Sequence, residues 1–448
     1  MYILDTIAAV ATPPGRGGIG VVRISGPLVV SILEAVIGKV PKPRRVIFVR
    51  FRDGDGAVID GGLALYFSGP KSFTGEDVAE LQGHGGPIVM DMLLERVYSL
   101  GARPARPGEF SERAFLNGRM DLAQAEAVAD LIDAGSRHAA KAAVRSLEGV
   151  FSRAIRNLAD SVLQLRVYVE AAINFPDEEV DFLSDGVVYK KLEEIACAMD
   201  AVQAKVSQGR VLREGLHVVI LGRPNAGKSS LLNRLAGRES AIVTSIPGTT
   251  RDVLREFIHL GAVPLHVVDT AGLCDSEDPV EREGVRRALV EVETADHILL
   301  VFDDREPVKP ESLLSRLGHP KQPITLLINK IDVTGRAPGP TPGFAYPAFA
   351  VSVKCGDGMD DLARYMEQTA GLDEAGEGLF LARRRHLQAL ARAQCGVEAA
   401  KEQLLVYEAG ELVAEELLQA HEALGEITGK VSADTLLGEI FGRFCIGK

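Results

Sequence analysis

The sequence predicts a multidomain α/β protein: an N-terminal α+β domain over 1–118, a helical bundle made of two separated segments, 119–212 and 373–448, and an α/β domain, 213–372, inserted between them. Three observations lead there. At 448 residues the chain exceeds one ordinary core, which asks for about two to four domains. Strand-like and helical runs alternate in the middle of the chain, in the manner of βαβ units. Text rich in Ala, Leu, Glu and Arg, with apolar residues spaced by three and four, lies on both sides of that middle.

From Asp5 to about Leu116 the β-like runs TIAAVA, GVVRIS, RRVIFVRF and GGLALYF are punctuated by Gly and Pro, with one helical stretch near Pro87 to Leu100. Helical periodicity then runs from Asp121 to about Gln208, broken at Asn174-Phe175-Pro176-Asp177. It returns from Phe380 to Ile440, in FLARRRHLQALARA and ELVAEELLQAHEAL, after the Gly-rich stretch Gly371 to Gly378. The two helical segments are expected to pair into one bundle. Between them, LHVVILG, PLHVVDT, HILLVFD, ITLLINK and FAVSV have the continuous apolar character of strands buried on both faces. Thr334 to Pro347, rich in Pro and Gly, reads as a surface loop.

Hydrophobic residues make up 46% of the chain, yet no apolar run reaches the roughly eighteen residues of a membrane span. No basic segment precedes an apolar one at the N-terminus, so neither a membrane association nor a secretion signal is expected. The five cysteines, Cys197, Cys274, Cys355, Cys395 and Cys445, are scattered and show no C-x-x-C pair, which fits a reducing cytoplasm better than a disulfide or zinc framework. A net charge of −12 argues against a broad basic surface for coating nucleic acid. It leaves open an RNA held by one local basic cleft or by a partner.

Directly after LHVVIL comes Gly222-Arg223-Pro224-Asn225-Ala226-Gly227-Lys228-Ser229, which fills every fixed position of the P-loop pattern and is followed by Ser230. Such a loop turns successive N–H groups toward phosphates at a helix N-terminus. Lys228 would reach the β- and γ-phosphates and Ser229 would ligate Mg²⁺. Asp269-Thr270-Ala271-Gly272 follows PLHVV, where a carboxylate can hold the magnesium ion and a glycine N–H can sense the γ-phosphate. Asn329-Lys330-Ile331-Asp332 follows ITLLI, and the Asp332 carboxylate suits the two parallel donors of guanine, which adenine lacks. Ser352-Val353-Lys354 completes the base pocket, with Val where Ala is usual. Together these motifs predict a Ras-like P-loop GTPase domain that binds GTP.

The Gln that orients the attacking water in Ras-like proteins is replaced here by Leu273, which cannot hydrogen-bond to it. Acids from Glu277 to Glu283 are the candidates for that role. Each also reads as a solvated carboxylate at a helix start, favoured by the helix dipole. No arginine finger is evident, so a monovalent cation held by Asn225 and the loop Thr244 to Thr249 is the alternative source of positive charge.

GRPNAGKSSLLN, IPGTTRD and DTAGL with a following Glu-Arg pair resemble the MnmE/TrmE family of tRNA-modifying GTPases. The resemblance runs the full length, through DTIAAVATPPGRGGIGVVRISG, SFTGEDVAELQGHGG, RPGEFSERAFLNGRMDLAQAEAVADLIDA and the terminal Phe444-Cys445-Ile446-Gly447-Lys448. It implies a potassium-activated GTPase in which Asn225, Thr244, Ile246 and Thr249 surround K⁺ and Ser229 and Thr250 hold Mg²⁺. Ser245, Pro247 and Gly248 belong to the same nucleotide loop. Catalysis would fall to Glu281, acting on water indirectly, with Lys228 and Arg251. The resemblance further implies a homodimer through an N-terminal folate-binding domain for 5-formyl- or methylene-tetrahydrofolate, with Arg23, Glu80, Arg119 and Lys448 at the matching positions. Arg119 stands where the family commonly has Lys. A FAD-dependent MnmG/GidA-type partner, forming a heterotetramer, and tRNA complete the implied machine, whose product carries an aminomethyl or carboxymethylaminomethyl group on C5 of uridine 34.

Several features have plainer readings. Gly15-x-Gly17-x-x-Gly20 matches the dinucleotide fingerprint, but VVRIS after it is a strand and not the required helix. Cys445 reads as a buried thiol in preference to a nucleophile, and His84 in QGHGG as a loop residue. A ribosome-assembly GTPase and a purely regulatory switch are the competing functional classes. The folate-like N-terminal segment and the terminal FCIGK weigh against both.

Overall fold

The fold is a computed structural model that describes residues 5–174, 186–236, 255–260, 263–269, 291–315, 320–370, 380–407, 409–430, 434–442 and 444–447. It divides into two compact units: one of Met1–Asp133, Ala143–Met199 and Gln388–Lys448, the other of Ala134–Ala142 and Asp200–Leu387.

The first unit contains a six-stranded sheet in the order β3-β4-β5-β2-β1-β6. Its strands are β1 (Ile7–Val10), β2 (Gly17–Ser25), β3 (Ile47–Arg52), β4 (Val58–Phe67), β5 (Val78–Gly85) and β6 (Arg103–Pro104). All pairings are antiparallel except β1 with β6. Alternation along β3 turns Val49 and Phe51 inward and Phe48, Arg50 and Arg52 outward, as a period of two requires. Helices α1 (Val29–Ile37) and α2 (Pro87–Ser99) bury Ile32, Leu33 and Leu93 with Phe51 and Leu81 of the sheet. Proline opens α2, where no amide hydrogen bond is lost, and Gly38 ends α1 at φ 75.

Two features here differ from the sequence reading. α1 is a helix within text of β-type composition. QGHGG is strand up to Gly85: Gln82 pairs with Val21 on one side and Leu63 on the other, so His84 belongs to β5 and not to a loop. The glycines that suggested a loop are there because neighbours come close. A Cβ on Gly83 would lie 2.6 Å from Asp60 Oδ2, and one on Gly62 would lie 2.0 Å from the Gln82 carbonyl.

Helices α3 (Glu109–Leu116), α4 (Leu122–Ile132), α5 (Arg137–Leu147), α6 (Val150–Asn174) and α7 (Val187–Glu214) follow. Asp121 caps α4, accepting from the Gln124 N–H while the Gln124 side chain accepts from the Asp121 N–H. The helix Gly410–Thr428 packs along α6, bringing Val413, Leu417 and Leu424 into the same layer as Ile155, Val162 and Val169. Helical segments from before and after the α/β stretch thus share a core. Near the C-terminus Phe441 and Phe444 pack with Leu122 and Ala125. Cys445 is exposed, contrary to the buried reading, and so is Ile446 after it; in this terminal run Phe444 and Gly447 are the residues turned inward.

The second unit is built on a seven-stranded sheet in the order β12-β13-β11-β10-β7-β9-β8. β7 (Leu216–Gly222), β9 (Val263–Asp269), β10 (His297–Asp303), β11 (Ile324–Asn329) and β13 (Ala348–Val351) run parallel. The edges β8 (Arg255–Leu260) and β12 (Gly339–Pro340) are antiparallel, and β12 is a two-residue bridge within the segment read as a loop. β7, β10 and β11 are buried along almost their whole length, as expected of strands covered on both faces. Helix α8 (Lys228–Ala236) follows β7, which lies between β10 and β9.

Candidate functional site

The site lies at the carboxyl ends of β7, β10, β11 and β13, where crevices form in open parallel sheets. β7 ends at Gly222, packed so closely on β10 that a Cβ there would stand 2.4 Å from the Val301 carbonyl. The turn into α8 uses two left-handed residues, Asn225 at φ 61 and Gly227 at φ 100. Lys228, the first helical residue, is buried, and its ammonium donates to the carbonyls of Gly222 (2.9 Å) and Arg223 (3.1 Å). One positive charge is thereby fixed at the loop that precedes a helix N-terminus, which is a favourable place for an anion. Ser229 and Ser230 follow, both exposed.

Asn329, at the end of β11, is 3% exposed and acts as a staple. Its Nδ2 donates to the Ala226 carbonyl (2.9 Å), and its Oδ1 accepts from the Val353 N–H (3.1 Å). Lys330, at φ 71, sends its ammonium to the Asn225 carbonyl (2.6 Å) and to Asp303 Oδ2 (2.7 Å). Asp332 is exposed, and its Oδ1 accepts from the hydroxyl of the fully buried Ser352 (2.8 Å). The same hydroxyl oxygen accepts from the Cys355 N–H (3.1 Å). Loops from three strands are thus joined into one rim by side chains that the motifs name.

Sequence reasoning passed over three residues that complete this rim. Asp303 ends β10 in register with Asn329, and its carboxyl is held far below the usual range by Arg305, with Lys330 adding to the effect. Asp304 binds Thr334 and Arg336, which follow Asp332 in the chain. Arg234, on α8, donates to carbonyls of the Val353–Cys355 turn. None belongs to a linear motif; the one available signal was the acidic pair at the end of an apolar strand. A cleft of about 220 Å³ beside the loop is lined by Arg223, Asn225, Asp303, Arg305, Glu306 and Lys309 among others, so its wall is strongly charged.

In the first unit, Arg23 on β2 faces Glu80 on β5 in register. Nε and Nη2 of Arg23 donate to Glu80 Oε1 at 3.1 and 2.9 Å. Its guanidinium also lies 5.5 Å from the Phe73 ring centroid and 5.9 Å from that of Phe110, and Nη1 is 3.5 Å from the Gly447 carbonyl. Gly447 abuts β1 so tightly that a Cβ would meet the Val10 carbonyl at 2.3 Å. Arg119 does not join this pair among the described residues; it is exposed, with its side chain against Gly75. Thr244, Ser245, Ile246, Pro247, Gly248, Thr249, Thr250, Arg251, Thr270, Ala271, Gly272, Glu281 and Lys448 lie outside the described residues, as does the Asp269 side chain.

Residues 6–119 match the sequence model of the GTP-binding protein TrmE N-terminus, and residues 122–445 match that of the MnmE helical domain. Among solved structures, Era of Aquifex aeolicus bound to GDP·AlF4⁻ is 24% identical, covering 40% of this chain and 66% of its own, with a TM-score of 0.28. The G domain of the T. maritima FeoB iron transporter is 24% identical over 35% of this chain and 98% of its own, also at 0.28. Elongation factor SelB of Methanococcus maripaludis, with a GTP analogue, is 20% identical over 35% of this chain and 34% of its own, at 0.25. At these scores the structural likenesses bear no weight. Among the described residues, no helix is long and apolar enough to cross a membrane.

Proposed function

The chain belongs to the MnmE/TrmE family of tRNA modification GTPases, and on that premise we propose that it is a potassium-activated GTPase working with a FAD-dependent MnmG/GidA-type partner in the cytoplasm. Together they would place an aminomethyl or carboxymethylaminomethyl group on C5 of the wobble uridine of certain tRNAs. The reading includes the domain limits 1–118, 119–212 with 373–448, and 213–372, and a homodimer through the first of these.

Asn225 is the observation that carries it. Its backbone is held in the left-handed region with its carbonyl pinned by Lys330. Its carboxamide is exposed and has no hydrogen-bond partner among the described residues. An oxygen donor so placed beside the phosphate loop fits a hard cation, and the exposed Ser229 hydroxyl at the first turn of α8 fits another. Asn225 with Thr244, Ile246 and Thr249 would hold K⁺, while Ser229 with Thr250 would hold Mg²⁺. These ions supply the positive charge that the transferring phosphoryl group needs where no arginine is provided. Lys228 binds phosphate oxygens, Asp332 pairs with the guanine edge, and Glu281 acts on water indirectly. In the first unit, the Glu80 carboxylate would take the two parallel N–H donors of a pterin, and Arg23 holds that carboxylate in place. A tetrahydrofolate one-carbon unit is the group that site would present.

The deciding experiment is steady-state GTP hydrolysis in KCl against NaCl at matched ionic strength. Strong potassium dependence supports the reading, and equal rates in the two salts sink the potassium claim. Mass spectrometry of tRNA incubated with both proteins, GTP and the folate reads the modification itself.

A further inference from the structure

Helix α8 starts at the phosphate loop, and six residues after Lys228 its Arg234 reaches the turn that follows β13. Nη1 of Arg234 donates to the carbonyls of Val353 (2.8 Å) and Lys354 (2.7 Å), and Nη2 to that of Cys355 (3.1 Å). Three successive carbonyls share one half-buried cation. The guanidinium Nε is buried without a hydrogen-bond partner among the described residues. The side chain forgoes that bond in a pose that engages the loop with both terminal nitrogens.

Peptide geometry gives the arrangement a direction. In a trans peptide the N–H points opposite to the C=O of the same unit. Carbonyls of Val353 and Lys354 turned toward Arg234 therefore aim the N–H groups of Lys354 and Cys355 the other way. The Cys355 N–H is indeed received by Ser352 Oγ, on the side where Ser352 meets Asp332. The Lys354 N–H is left on that same side as a donor, where guanine carries its O6 acceptor and adenine carries a donor amino group.

We propose that Arg234 is a positioning residue for base recognition. By fixing three carbonyls it aims the Lys354 N–H at the base oxygen, keeps Ser352 on Asp332, and couples the phosphate-loop helix to the base loop as one rigid piece. The inference rests on the reading of this pocket as a guanine-nucleotide site. Lysine cannot replace the fork, because a single ammonium cannot span carbonyls that two guanidinium nitrogens divide between them.

The test compares dissociation of a fluorescent GDP analogue from the full chain with Arg234→Ala and Arg234→Lys variants, alongside kcat at saturating GTP. Arg234→Ala should speed GDP release about tenfold, Arg234→Lys somewhat less, with kcat moving less than about twofold, since the residue acts on binding and not on the phosphoryl group. Release within about twofold of wild type in a folded Arg234→Ala protein overturns the proposal. Should that variant not fold, Arg234→Lys decides by the same release rate, together with hydrogen exchange at the Lys354 and Cys355 amides, and unchanged protection there overturns it equally. A wild-type protein that binds no GDP would instead bring down the guanine reading on which the inference stands.

Discussion

Asn329 Nδ2 donates to the Ala226 carbonyl at 2.9 Å, across a gap so narrow that a Cβ on Gly227 would stand 2.2 Å from the same nitrogen. The base-side motif and the phosphate loop are therefore one packed object, and a change in either should be felt in both. Gly227→Ala combines this clash with a φ of 100 that L side chains rarely adopt, and should abolish measurable GTP binding in calorimetry. Asn329→Ala orphans a buried carbonyl and the Val353 N–H, costing about 1–3 kcal/mol for each group left unpaired, read by urea denaturation.

Asp332→Asn replaces one acceptor of the carboxylate with a donor while keeping its size. Preference should move from GTP to XTP by about two orders of magnitude in competitive binding, because a carboxamide N–H would face a donor of guanine and an acceptor of xanthine. Unchanged GTP preference would remove Asp332 from the base pocket.

Glu281→Ala should leave GTP affinity nearly intact and lower kcat by about a hundredfold or more, the range of a positioned acid–base group. Normal turnover in the variant would reduce Glu281 to a surface carboxylate and return the search to its neighbours from Glu277 to Glu283.

His297, at the start of β10, is fully buried, with Nε2 2.9 Å from Thr325 Oγ1 and Nδ1 unpartnered among the described residues. Burial pushes its pKa down to about 4 from an ordinary 6.5. The native state thus refuses a proton that the unfolded chain accepts, so this contribution is complete above pH 6.5 and is lost as pH falls toward 4. It amounts to about 3 kcal/mol. His297→Gln should flatten the difference in denaturation midpoint across that window relative to wild type; parallel profiles would refute the assignment.

Glu109, buried at 2% exposure, is bound by Arg103, Arg113 and the Arg106 N–H, with Arg113 also tied to Asp5 and Glu76. Burial works to raise its pKa, but the bonds from Arg103 and its other partners outweigh it and hold the group at about 2. The stabilisation is present above the ordinary value near 4.5 and disappears as pH falls from there toward 2. Glu109→Gln should cost about 3 kcal/mol at neutral pH by leaving buried guanidinium charge short of a partner. The variant should also lose the acid sensitivity of the first unit, followed by circular dichroism.

Linear motifs determined much of this protein. Gly222 to Ser229, Asn329 to Asp332 and Ser352 to Lys354 are short strings whose chemistry is local, since each needs only a strand before it and a turn after it to present its groups. Apolar runs such as HILLVFD and ITLLIN were legible as buried strands for the same reason: their burial on both faces is written in every residue. Other features depended on neighbours brought from far along the chain. β5 is a strand despite its glycines because β2 and β4 flank it and leave no room for side chains. Cys445 is exposed because Phe444 is the side chain of that terminal run that packs with Phe441, Leu122 and Ala125. Asp303 and Arg234 carry no motif, and their roles come from Lys330, 27 residues away, and from Val353, 119 residues away. A hydrogen bond of that sequence span is set by the register of the sheet and the direction of a helix, which no window of residues encodes. The sequence alone therefore determined which chemical groups the pocket offers, and the tertiary structure decided which residues hold those groups in place.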